Sequence, residues 1–343
     1  MVPDFQTLPF AVLTAVFLVA AMLVWIAGTR LAGYASAFAD RTGLSGPVAG
    51  MLLLGVITSF PEIATSGTAA WRGDVHLAAG DLLGSISLQV VVIAIADAVI
   101  GKRALTSTLP SRALLLQANM GVLLLVLTAV GVIVGDVALR GVGAWPVVLT
   151  GLYLATPFLT LAADRRDDTP ARAAAVEVRQ RPRPPDRGMA GLVSRIAVAG
   201  VVIFIAGFVL SGAGGQLATR TGLGSSFFGL VFLAAATSLP ELSSALGAAR
   251  LNRADLAVGD ILGSNMINLA LLLLIDGLYR GPPVFDELGM GAAISALLAA
   301  VLTLIFMMGL IERRNRSLLR MGHDSIAVFA VYGIGLGLLF HFR

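Results

Sequence analysis

The chain of 343 residues contains no cysteine and only three histidines, and charged residues make up just 13% of it. The first absence excludes disulfides, thiolate metal sites and cysteine nucleophiles, and it leaves no redox argument about the compartment. His76, His323 and His341 fall at the ends of apolar runs, so zinc, copper and iron sites lack their usual ligands. Neither HExxH nor GxSxG occurs, and no histidine lies deep in an apolar run to act as a general base, so the chain reads as a non-enzyme without a cofactor. The scarcity of charge says most, because soluble domains carry about 25% charged residues.

Apolar sequence fills the gap. Hydrophobic residues make up 57% and mean hydropathy is +0.90. Runs near 20 residues recur, the length that carries a helix across about 30 Å of hydrocarbon. VVVIAIADAVI and LALLLLIDGL are apolar all round, without the alternation of a barrel strand. Ten spans are expected near 8–29, 46–70, 77–100, 113–135, 143–163, 191–214, 225–249, 256–279, 287–311 and 323–341. The first run lacks a basic leader and is too long for a signal peptide, so it is expected to stay as the first span.

The net charge of +4 follows a topology rule. Nineteen Lys and Arg fall in one set of alternate connections and five in the other, which puts both termini outside and the basic segments in the cytoplasm. The basic residues are not interleaved with aromatics, so nucleic acid is not an expected partner. Lipid is.

The chain also repeats itself. Residues 41–100 lie on 220–279 without a gap, at an offset of 179, with twenty identities that include RTGL at 41 and 220, TS-x-PE at 58 and 237, and GD-x-LGS at 80 and 259. Chance matches Ala and Leu in apolar sequence, but it does not align Thr, Ser, Pro, Glu, Asp and Gly in register. Each copy has one span before it and two after it. An odd unit of five inserts its duplicate upside down, a transporter signature. The expected fold is therefore an all-α integral membrane protein of ten transmembrane helices, built as two inverted-topology repeats of five. The first repeat would cover 1–163 and the second 191–343, joined by a charged, proline-rich cytoplasmic linker over 164–190.

Glu62 and Glu241 lie within apolar spans, where an ionisable group costs about 2.5–3.5 kcal/mol and normally faces the bundle interior. The plainer alternative is a structural carboxylate bonded to a hydroxyl on a neighbouring helix. Pro61 and Pro240 lack the amide hydrogen and clash with the carbonyl one turn back, so each opens its helix one residue before a glutamate. Thr58 and Thr237 stand four residues before the glutamates, on the same helical face, with Ser59 and Ser238 alongside. On the next span Asp81, Ser85 and Gln89 form a stripe that Asp260, Ser264 and Asn268 repeat. The pairs Gly80/Gly84 and Gly259/Gly263 permit close helix approach. Every donor in this set is oxygen or amide, the ligand type of calcium, which takes about 6–8 oxygens, and equally of sodium.

These motifs resemble the paired alpha repeats of the cation/calcium antiporter superfamily, and within it the sodium/calcium exchanger branch, over both repeats and the whole ten-span plan. The resemblance implies a chamber for sodium and calcium lined by Thr58, Ser59, Glu62, Ser85 and Gln89 with Thr237, Ser238, Glu241, Ser264 and Asn268, and carbonyl oxygens near Gly55 and Ala234 as further ligands. It implies antiport by a single chain in a prokaryotic-type plasma membrane, with sodium entry driving calcium export; proton/calcium or other divalent-cation antiport is the alternative. Four positions depart from the common pattern: Gln89 stands where Asn is usual, Asn268 where some relatives have Asp, and Asp81 and Asp260 where Asn is common. For those two aspartates, a hydrogen bond across the bundle or helix-end capping is expected ahead of ion coordination, and Asp97 and Asp276 are expected at the membrane interface. A channel is disfavoured because the site closes within one chain.

Overall fold

The computed structural model describes residues 5, 7–100, 109, 111–139, 141–165, 188–220, 234–312, 317–318 and 321–341. In lipid every backbone polar group must be satisfied within its own segment, and the described residues answer with helices. The order is α1 Phe10–Thr42; α2 Gly46–Ala49, a π-helical turn Gly50–Leu54 and α3 Gly55–Thr58; α4 Phe60–Trp71; α5 Val75–Ile100; α6 Arg112–Val134; and α7 Ala144–Arg165. Then follow α8 Met189–Arg220, α9 Ala234–Thr237, α10 Leu239–Arg250, α11 Ala254–Leu278, α12 Val284–Glu287, α13 Met290–Glu312 and α14 His323–His341. Most of the expected linker and residues 221–233, the start of the seventh expected span, lie outside the described residues.

Among the described residues, seven helices are long and apolar enough to cross a membrane: α1, α5, α6, α7, α8, α11 and α13. The segment Gly46–Thr58 with α4 makes an eighth crossing if its 45° bend is counted within one span, and α14 is a shorter apolar helix. Hydroxyls are tolerated in these helices because they fold back on the preceding turn: Thr128 and Thr303 each donate to the carbonyl four residues earlier, at 2.8 Å.

Two findings depart from the sequence reading. α1 runs on to Thr42 and α8 to Arg220, well past the apolar runs that end near 29 and 214. A charged residue ends a run of hydropathy but not a helix; α1 stops only where Gly43 takes up a left-handed φ of 74°. The fold is also not purely helical. Two-residue ribbons, β1 Ala138–Leu139 with β2 Val142–Gly143 and β3 Ser317–Leu318 with β4 Met321–Gly322, precede α7 and α14.

The ribbons repeat at the same offset of 179, far beyond the segment in which identity is visible. Each is held by an aspartate of the opposite copy. Asp97, near the end of α5, accepts the Gly322 N–H and the Ser325 hydroxyl at 2.7 Å each. Asp276, near the end of α11, accepts the N–H of Gly143 at 2.5 Å and of Val284 at 2.6 Å. Both aspartates are buried, where an interfacial position alone would have left them wet.

α5 and α11 form the centre of the bundle. α11 packs on the segment from α2 to α3 almost backbone to backbone: a methyl on Gly50 would overlap the Leu256 carbonyl, and one on Gly259 or Gly263 would overlap the backbone of Pro47 or Met51. The close approach expected of the Gly259/Gly263 pair is thus present. Around this core α1 packs antiparallel to α8, with Phe17 of α1 against Gly214 of α8 and Arg220 donating to the Leu8 carbonyl.

Candidate cation site

The two TS-x-PE motifs break their helices in the same way. Ser59 separates α3 from α4 with φ −78° and ψ 2°, and Ser238 separates α9 from α10 with φ −80° and ψ 3°. Pro61 and Pro240 each enter the new helix in its first turn, where a missing N–H leaves no bond unmade. Each break puts a glutamate in the first turn, with its N–H groups and their partial positive charge nearby.

All ten side chains named from the sequence are buried, none more than 2% exposed. Hydrogen bonds bring several of them together across the copies. Ser85 and Thr237 share a hydrogen bond at 3.2 Å, and the Ser264 hydroxyl donates to Gln89 Oε1 at 3.0 Å. Glu62 and Glu241 are near enough for their charges to interact, with Asp81 near both and Asp260 near Glu241. Ser59 instead turns back on the Gly55 carbonyl at 2.8 Å, and Thr58 and Thr237 also bond the carbonyls of Leu54 and Ala234.

The aspartates make the link expected of them. Thr58 donates to Asp260 and Thr237 to Asp81, both at 3.2 Å, so each motif threonine is held by the aspartate of the other copy. Within its own copy Asp81 accepts from Thr65 at 3.0 Å and Ser66 at 3.1 Å, and Asp260 accepts from Ser244. Thr65 and Ser244 escaped the sequence reading, although they are another hydroxyl pair at offset 179. The exchange is not fully symmetric: Ser85 reaches Thr237, whereas Ser264 reaches Gln89.

Against these paired groups stands a set without partners. Among the described residues, sixteen buried side-chain polar atoms make no hydrogen bond, and half of them belong to five of the ten site residues: both oxygens of Glu62 and of Glu241, Gln89 Nε2, both amide atoms of Asn268, and Ser238 Oγ. Buried polar groups are otherwise nearly always satisfied, because leaving one bare costs about 1–3 kcal/mol and more if it is charged. The bare oxygens of Glu62, Glu241, Asn268 and Ser238 therefore point to a ligand that supplies positive charge.

Bare carboxylates at paired helix breaks, inside a bundle of apolar helices, mark a membrane protein that carries cations. The sodium/calcium exchanger protein family matches residues 12–161 and 192–340, and the chain belongs to that family of membrane antiporters. It is 28% identical over 299 residues to CaxA of Alkalimonas amylolytica, a proposed antiporter, covering 86% of this chain and 90% of the relative. It is 27% identical over 288 residues to the inner membrane protein YrbG of Escherichia coli, covering 83% and 85%. Among solved structures, the sodium-calcium exchanger NCX_Mj soaked with sodium and strontium has the same fold, with a TM-score of 0.72 at 17% identity over 96% of this chain and 99% of the other. The same exchanger soaked with sodium and calcium gives 0.71 at 18% identity.

Proposed function

We propose that the chain exchanges sodium for calcium by alternating access, with Glu62 and Glu241 holding the cations between the two copies. The observation that carries this reading is the pair of buried glutamates whose four oxygens have no partner, set beside the unpartnered amide of Asn268. Two carboxylates neutralise one calcium ion. The hydroxyls of Thr58, Ser59, Ser85, Thr237, Ser238 and Ser264, with carbonyl oxygens near Gly55 and Ala234 as further ligands, would replace its water shell. Sodium accepts the same oxygens.

Alternating access needs two copies of a half-site that can exchange roles. We therefore read ten spans as two inverted units of five, 1–163 and 191–343, with segment 164–190 in the cytoplasm of a plasma-membrane protein whose termini lie outside. The recurrence of helix breaks, ribbons and aspartate contacts at offset 179 supports this plan.

Proton/calcium antiport is the second reading. It is favoured by Asn268 and Gln89, whose amides add no charge and leave two glutamates to match one calcium ion or two protons. Proteoliposomes decide between them. Calcium uptake driven by a sodium gradient at equal pH on both sides is expected; uptake driven by a pH gradient without sodium would assign the proton reading instead.

A further inference from the structure

A crevice of about 300 Å³ lies between α1 and α8, away from the cation site. One end is polar and basic, formed by Arg30 and Tyr34 of α1 with Ser194 and Arg195 of α8. The other end is apolar, formed by Leu23 and Ile26 of α1 with Val198 and Val202 of α8. Among the described residues, no acidic one lines it. The helices run in opposite directions, yet both pass from basic to apolar over the same seven residues, Arg30 back to Leu23 and Arg195 on to Val202, which is about 10 Å of helix.

Such a gradient is complementary to one kind of molecule. Two guanidinium groups suit a phosphate, each able to donate a forked pair of hydrogen bonds. The apolar floor suits a hydrocarbon chain lying along the helices. With the orientation proposed above, on which this inference rests, the basic end sits at the cytoplasmic headgroup level and the apolar end points to mid-membrane. Basic pockets between helices on that side attract anionic lipid.

We infer that this crevice binds one anionic phospholipid of the cytoplasmic leaflet, its phosphate between Arg30 and Arg195 and an acyl chain between Leu23 and Val202. Because α1 packs against α10 and α8 against α4, the helices that carry the two glutamates, the lipid would sit on the pair of helices flanking both halves of the site.

The test uses the full chain, solubilised from mixed phosphatidylglycerol and phosphatidylcholine bilayers, with retained lipid counted by native mass spectrometry. The wild type is expected to retain one phosphatidylglycerol in preference to phosphatidylcholine. R30Q/R195Q should lower that retention about thirtyfold, since each basic residue at a charged leaflet is worth about 1 kcal/mol, and R30K/R195K should restore part of it. Val198→Trp, which fills the apolar half and leaves both arginines, should also displace the lipid. Equal retention of the two lipids by the wild type, or unchanged phosphatidylglycerol on both R30Q/R195Q and V198W, overturns the site. Lipid retention is read without transport, so its failure is distinguishable from failure of the exchange reading, which calcium flux reports.

Discussion

The Thr58 hydroxyl donates to the Asp260 carboxylate at 3.2 Å, joining residues 202 positions apart in the chain. With its counterpart from Thr237 to Asp81, it ties each broken helix to the central helix of the other copy. The aspartates thereby orient two of the hydroxyls that would coordinate the cation.

Asp260→Ala is expected to raise the calcium concentration for half-maximal uptake about tenfold, because the buried hydroxyls of Thr58 and Ser244 lose the carboxylate that orients them and keep only carbonyls of their own chain segment as acceptors, a change worth about 1–3 kcal/mol. Asp260→Asn keeps one acceptor oxygen and the side-chain shape, and should retain most of the affinity. Equal half-saturation in wild type and alanine variant would remove the aspartate from the site.

The close packing of α11 on the segment from α2 to α3 gives a stability prediction with its own control. Gly50→Ala puts a methyl into the Leu256 backbone and should destabilise the protein by about 1–3 kcal/mol, seen as a lower melting temperature in detergent. A methyl on Gly33 meets nothing within 4 Å, so Gly33→Ala should leave the melting temperature unchanged or raise it. Equal behaviour of the two variants would contradict the backbone-to-backbone contact.

Asp276 uses both carboxylate oxygens as acceptors for backbone N–H groups, and asparagine offers only one. Asp276→Asn should therefore lower the melting temperature. It should leave calcium half-saturation near the wild-type value, since Asn268 lies about 12 Å away along the helix. A changed half-saturation at unchanged stability would place Asp276 in the ion path instead.

Much of this was legible in the sequence because lipid imposes simple rules. Apolar runs marked the helices, and the two copies of TS-x-PE and of the polar stripe after them marked residues that prove to be buried, with the side chains of Glu62, Glu241 and Asn268 left bare. Other features had no such signature. The overruns of α1 and α8 are polar, and hydropathy does not register polar helix. Asp276 is met by backbone N–H groups, and Asp97 by one beside the Ser325 hydroxyl; every residue but proline carries such a group, so no side-chain pattern announces these contacts. Residues 143 and 322 are both glycine at the repeat offset, and that pairing was the available clue. Where each carboxylate points is decided by packing. Asp81 and Asp260 find hydroxyls while Glu62 and Glu241 do not, although all four are acids in apolar helices.

The central claim is that Glu62 and Glu241 together hold the transported cation. The direct measurement is calcium uptake into proteoliposomes driven by an outward sodium gradient, for wild type, Glu62→Gln and Glu241→Gln, each shown to be folded by its melting temperature. The claim predicts that either substitution abolishes gradient-driven uptake, since one remaining carboxylate cannot neutralise a divalent ion in a dry site. Wild-type uptake rates in both variants would contradict it.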